Sequence, residues 1–287
     1  MKYSVIIPHK NRQQTIQRCI DSIPDREDIE VIIIDDNSDP NLVDFDNYPG
    51  KTRRNVLFYR TYEGRGAGYA RNVGLAKSTG AWILFADSDD FYSRDCFDEL
   101  DKLTSQEDVD IVYFDIFCDT TPVSGRVNMV NERYSKYMIT KDDRFVKYGC
   151  WAPWNKAIRR DFVVTNKLEF EEVPVGNDAM FSLRASKCCL KCVISMKKLY
   201  CLTESRDSIT CAKRDFNRTL LYLNVNMKIN KFYIDNGLDF LCFPLLKIKQ
   251  IIRVAADFGI MDAYVFVRKI VREFGLCNAI KIGVCLS

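Results

Sequence analysis

Trp82-Ile83-Leu84-Phe85-Ala86-Asp87-Ser88-Asp89-Asp90 decides how the rest of the chain is read. Five apolar residues followed at once by a polar turn fit a strand buried on both faces. Three carboxylates then arrive within four residues. Placed at such a strand end they can converge on one hard cation, because Mg2+ and similar ions take oxygen ligands and share them with phosphates. A helix cap also favours Asp and Ser, but a cap needs one carboxylate and three repel one another. The cluster is therefore read as a metal turn, with Asp90 left open as a turn residue.

The same grammar recurs on both sides of this stretch. Strands are expected at Tyr3 to Ile7, Glu30 to Ile34, Val56 to Tyr59, Ala81 to Ala86 and Asp110 to Phe117, and helices at Gln13 to Ile23, Gly68 to Ser78 and Arg94 to Leu103. This alternation predicts an α/β fold, a mostly parallel sheet flanked by helices. Strand ends carry Pro8-His9-Lys10-Asn11-Arg12, Asp35-Asp36-Asn37-Ser38-Asp39 and the Asp87 turn. Open α/β sheets bind ligands outside the carboxyl ends of their strands, so the three ends predict one shared crevice. After residue 118 the alternation weakens: Gly125 to Asn131 reads as a loop or short strand, Lys141 to Lys147 as a short helix and Asn177 to Lys187 as a longer one. Beyond Arg214 the pattern is helical, with Leu245, Ile248, Ile252 and Ala255 on one face. The expected division is an α/β domain over 1–212 and a helical C-terminal subdomain over 213–287.

The chain has 287 residues and a net charge of +3, too little for a nucleic-acid binder. Residues 213 to 287 carry twelve Lys or Arg against six Asp or Glu, so the tail is +6 and the remainder −3. No segment reaches the ~18 uninterrupted apolar residues of a membrane span, and the N-terminal apolar run is too short for a signal peptide. A cytoplasmic protein with reduced thiols is expected. Cys188, Cys189, Cys192, Cys201 and Cys211 contain one CxxC but no second half-site for zinc.

Further groups complete the chemistry. Asp35-Asp36 closes a second apolar strand, where a carboxylate can accept hydrogen bonds from a base or ribose, or simply make the turn. Gly64-Arg65-Gly66-Ala67-Gly68 precedes a helix bearing Arg71, and exposed amides with an arginine fork suit phosphate. A dinucleotide fingerprint would follow the first strand, whereas these glycines follow the third. His9 is the one histidine. A general base must otherwise be a carboxylate, cysteine or lysine, and Asp178 at a helix start is the best carboxylate, with capping as the alternative.

In this order the segments Ser4 to Pro8, Val31 to Asp39, Ala70 to Gly74, Phe85 to Asp90 and Asn177-Asp178 resemble family 2 of the inverting glycosyltransferases, of bacterial cell-surface glycan type. The resemblance covers roughly the first 190 residues. It implies the GT-A (Rossmann-like) fold and transfer of a sugar from a nucleoside-diphosphate donor, UDP by family frequency, to an acceptor hydroxyl of a glycan or lipid-linked glycan. It implies that Pro8, Asn11 and Arg12 line the nucleotide pocket, Asp36 holds the base with Asp35 beside it, and Arg71 lies near the diphosphate. Asp87 and Ser88 would approach the donor, and Asp89 with Asp87 would hold Mn2+ or Mg2+. Asp178 would be the base. The family commonly has Glu-Asp where this chain has Asn177-Asp178. Trp154 would stand on the acceptor side, where an aromatic can stack on a sugar face, or equally in the core; Asn177 would stand on the acceptor side, and Arg206 to Thr210 resembles a segment closing over the diphosphate.

Lys249 with Arg253, and Arg268 with Arg272, make basic helix faces opposite apolar ones, which suits the inner face of an anionic membrane as well as an ordinary solvated surface. Two other functions fit the composition: a non-catalytic sugar-nucleotide binder, and a nucleotidyltransferase, which calls for a Gly-rich loop after the first strand where this chain has Pro8 to Arg12.

Overall fold

The computed structural model describes residues 1–119, 125–203, 215–242 and 248–275. The chain divides into two compact units, Met1–Cys211 and Ala212–Ser287.

The first unit is built on one sheet of eight strands: β1 (Tyr3–His9), β2 (Ile29–Asp36), β3 (Val56–Thr61), β4 (Trp82–Phe85), β5 (Phe91–Tyr92), β6 (Ile111–Phe117), β7 (Lys156–Arg159) and β8 (Cys192–Cys201). Their order is β3-β2-β1-β4-β7-β6-β8-β5. β1, β2, β3 and β4 pair in parallel, as do β6 and β8, while β7 runs antiparallel to both β4 and β6. The carboxyl ends of β1, β2, β4 and β6 therefore share one edge, and the polar turns collect there. β1 and β2 are buried along their whole length, which explains their unbroken apolar sequence. This α/β layering is the fold expected from the sequence.

Helices α1 (Gln13–Asp21), α2 (Ala67–Lys77) and α3 (Cys96–Leu103) cover the sheet. A Cβ on Gly74 of α2 would stand 2.4 Å from Ile6 Cγ2, so this helix lies on β1 at a separation only glycine permits.

Two short readings change. Gly125 to Asn131, expected as a loop or strand, opens α4 (Arg126–Thr140), whose buried Val127, Val130 and Tyr134 fall at helical spacing. β7 and β8, which the sequence did not announce, complete the sheet. Between α5 (Arg144–Gly149) and β7 lies a short 3-10 turn, Pro153–Asn155, and α6 (Arg160–Thr165) and α7 (Ala179–Cys188) follow.

In the second unit α8 (Phe216–Asp235), α9 (Ile248–Phe258) and α10 (Ile260–Phe274) share a core of Leu223, Met227, Val254, Ala263, Phe266 and Ile270. Of the expected face of α9, Ala255 packs inward, together with Ile251, Val254 and Phe258, whereas Ile252 is 62% exposed. Leu245 lies outside the described residues. No described helix is long and apolar enough to cross a membrane.

Candidate active site

The turn after β1 is locked to the turn after β2 by a buried pair. His9 Nε2 accepts from the Arg12 backbone N–H at 3.1 Å, so Nδ1 carries the proton and donates to Asp35 Oδ2 at 2.9 Å. The other donors to Asp35 are the Ser38 N–H, 2.9 Å from Oδ1, and the Ser38 hydroxyl, 2.5 Å from Oδ2. Burial pushes the Asp35 carboxyl up, but the bonds from His9 and Ser38 outweigh it and hold the group below its usual range. Asp35 and His9 are thus committed to the scaffold, and neither faces the crevice. Asn11, in the left-handed region at φ 55, adds a second link: its N–H donates to Ser38 Oγ and its Oδ1 accepts from the Asp39 N–H. Pro8 is buried in β1, and Arg12 sits half-buried at the start of α1.

Asp36 behaves differently. Its Oδ2 accepts from the Gly66 N–H at 2.9 Å and from Lys10 Nζ at 3.3 Å. Its Oδ1 is buried with no hydrogen-bond partner. An orphaned carboxylate oxygen is costly unless a donor arrives from outside the chain.

The glycine segment does not offer itself to phosphate as expected. The Gly66 amide is spent on Asp36, Arg65 pairs with Glu172, and a Cβ on Gly68 would stand 2.2 Å from the Glu171 carbonyl oxygen. The start of α2 is therefore covered by an acidic segment.

The Asp87 turn follows the pattern of the first. Asp90 points inward, accepting from the Tyr200 hydroxyl at 2.8 Å and the Thr203 N–H at 2.7 Å, while Tyr200 accepts from the Asp87 N–H at 3.0 Å. Ser88 is buried in the turn. Asp87 and Asp89 are partly exposed. Burial first, then repulsion from Asp87, raises the Asp89 carboxyl above its usual range. From α1, Arg18 donates to the Asp89 carbonyl at 2.9 Å and to Thr203 Oγ1 at 2.6 Å, fixing the turn from outside.

Arg71 joins this turn to α7. One end of its buried guanidinium donates to Asp87 Oδ1 at 2.6 Å, the other to Asn177 Oδ1 at 2.8 Å. Asn177 thereby has a neutral role that a glutamate would fill as a charged partner. The next residue, Asp178, precedes α7, yet its side chain makes no capping hydrogen bond. Asp178 is half-buried, and its own backbone N–H donates to its carboxylate. Burial raises it above the usual carboxylate range, Asp87 adds to this, and Arg71 and Lys156 oppose it.

Trp154, expected on the acceptor side, lies in the core at 4% exposure, with its ring stacked on Tyr200 at 5.3 Å and 2°. Arg206 to Thr210 lies outside the described residues. Tyr200, Arg18, Thr203 and Lys156 were missed by sequence reasoning; the first three are tied to the site by contacts across long stretches of chain, without a local motif, and Lys156 by its bond to Ser182 together with local carbonyls. Among the described residues the cysteines are free thiols, and no three His, Cys, Asp or Glu side chains converge as a metal site on their own.

The model of glycosyl transferase family 2 matches residues 4–164, more than half of the chain, from the second residue of β1 through β7. The chain belongs to this family. Among its relatives, the uncharacterized glycosyltransferase EpsJ of Bacillus subtilis is 26% identical over 220 residues, 72% of this chain and 62% of EpsJ. The chain thus spans less than two thirds of that relative. A solved structure of S. aureus TarS residues 1–349 with UDP-GlcNAc superposes with a TM-score of 0.66 at 18% identity, over 99% of this chain and 89% of that one. The mannosyltransferase PcManGT of Pyrobaculum calidifontis, in complex with GDP-Man and Mn2+, matches at 0.54 and 14% identity over 98% and 78%. These two likenesses confirm the glycosyltransferase fold of this family member.

Proposed function

We propose that this family 2 member transfers a sugar from a nucleoside-diphosphate donor, with UDP as the nucleotide, to an acceptor hydroxyl, inverting the anomeric centre, in cell-surface polysaccharide synthesis. The observation that carries the reading is Asp178: a carboxylate at a helix start that caps nothing, raised toward a working base and tied through Asn177 and Arg71 to the Asp87 turn. Inversion requires in-line attack by the hydroxyl, a base behind it and stabilisation of the departing diphosphate. Asp178 takes the hydroxyl proton. The unpartnered Oδ1 of Asp36 accepts from a base N–H of the donor, in a pocket walled by Pro8, Asn11, Arg12 and Ser88. Arg71, held by Asp87 and Asn177, adds positive charge near the diphosphate.

Asp89 and Asp87 would hold a divalent cation, Mn2+ or Mg2+. Two mutually repelling carboxylates on a partly exposed turn fit an ion that completes its shell with phosphate oxygens and water. Such an ion supplies charge neutralisation to the leaving diphosphate. UDP-GlcNAc in TarS and Mn2+ in PcManGT support this choice of donor and ion. Release of UDP or GDP from a panel of nucleotide sugars with Mn2+ tests the reading. Slow hydrolysis of one donor is expected; consumption of nucleoside triphosphate instead would make the chain a nucleotidyltransferase.

The acceptor is read as a glycan or lipid-linked glycan at the inner face of the membrane. On α10 the exposed Ile260, Met261, Tyr264 and Val265 adjoin the exposed Arg268 and Arg272, an apolar and basic surface suited to anionic headgroups. Flotation with anionic liposomes should retain the chain and lose Arg268→Glu/Arg272→Glu; equal flotation of both removes the membrane contact.

A further inference from the structure

Lys156 is among the largest fully buried side chains of the first unit, 1% exposed. Burying an ammonium is costly unless all three N–H groups find acceptors. Here Nζ donates to the Cys150 carbonyl at 2.9 Å, to the Ala152 carbonyl, and to Ser182 Oγ at 3.4 Å, and it lies 5.6 Å from the Tyr113 ring centroid. The carbonyls belong to the turn that leads into Pro153–Asn155, and Ser182 sits one helical turn after Asp178, whose carbonyl accepts from the Ser182 N–H. No carboxylate makes an ion pair with Lys156 among the described residues.

We infer that Lys156 is a positioning residue of the acceptor side, whose buried ammonium ties the Cys150–Ala152 turn to the first turn of α7 and so sets the surroundings of the Asp178 carboxyl. The titratable groups that face Lys156 are Cys150, Tyr113 and Asp178. Burial pushes the Cys150 thiol up to about 12 and raises the Tyr113 phenol, so both are neutral at pH 7. Asp178 is then the one anion acting on Lys156, against burial that lowers the lysine to about 8. On Asp178 itself Arg71 is the stronger of the two cations and Lys156 the weaker, with Asp87 as an opposing anion. The cost of burying one charge is offset by the charge the reaction needs on its base.

The inference rests on the reading of Asp178 as base, and its test separates the two. The titration of the Asp178 carboxyl carbon is followed by NMR in protein labelled at aspartate, with Asp178→Asn identifying the signal. Lys156→Met and Lys156→Gln should each raise the midpoint by about one pH unit, the effect of removing a nearby opposite charge. Gln keeps a donor for the carbonyls, which covers failure of Met to fold. In turnover both variants should lower kcat about tenfold near neutral pH, with donor KM unchanged and recovery at higher pH. An unmoved midpoint overturns the inference, whether or not sugar is transferred. A moved midpoint in a chain that transfers no sugar keeps the charge coupling and refutes the function.

Discussion

The two acidic turns of the crevice divide their carboxylates in the same way but in opposite order. After β2 the first residue, Asp35, turns inward to His9 and Ser38, and the second, Asp36, keeps an oxygen without a partner. After β4 the last residue, Asp90, turns inward to Tyr200 and Thr203, and Asp87 and Asp89 stay at the surface. One carboxylate in each turn holds the backbone, and under the proposed function its neighbours face the donor. Chemically identical residues of one turn would then serve stability in one case and binding in the other.

Substitution can break this pairing. The largest effect is expected from Asp89→Ala, which should cut Mn2+-dependent donor affinity by on the order of 100-fold, the ~3 kcal/mol of a charged contact, without lowering Tm. Asp35→Ala should do the reverse, costing roughly 2–4 kcal/mol of stability by orphaning the buried His9 and Ser38 donors, readable in urea denaturation. Asp36→Asn should weaken donor binding about tenfold at unchanged Tm. Asp90→Asn should move stability by less than ~1 kcal/mol, because an amide can still bond Tyr200 and Thr203 while losing its repulsion with Asp87 and Asp89.

pH sharpens the same contrast. Asp35 is held below its unfolded value, so its contribution is present above that value and is lost as pH falls through the lower folded one. Asp90 is raised by burial and by Asp87 and Asp89, so its contribution is complete below the unfolded value and is lost as pH rises through the folded one. Asp35→Ala should then flatten the acid side of the stability profile, and Asp90→Asn the neutral side. Asp178, also raised, should place the acid limb of the rate profile above the range of a free aspartate.

Much of this was legible in the sequence, and the exceptions have physical causes. β1, β2 and β4 announce themselves because strands buried on both faces must be continuously apolar. β7 has only four residues, and β8 carries Lys197 and Lys198 beside a shifted register, so neither shows an alternating pattern. Asp35 has its partner Ser38 three residues away, a local turn signature. Asp90 finds Tyr200 at a separation of 110 residues, which no spacing rule reveals. For Trp154 the sequence leaves the acceptor side and the core equally open, and the core is found: its stacking partner, Tyr200, lies on the unforeseen strand.

Titration calorimetry of UDP in the presence and absence of Mn2+, comparing Asp89→Ala with Asp90→Asn, tests the division of the carboxylates most directly. The account predicts Mn2+-dependent binding that Asp90→Asn retains and Asp89→Ala loses. Equal binding by the two variants would contradict it.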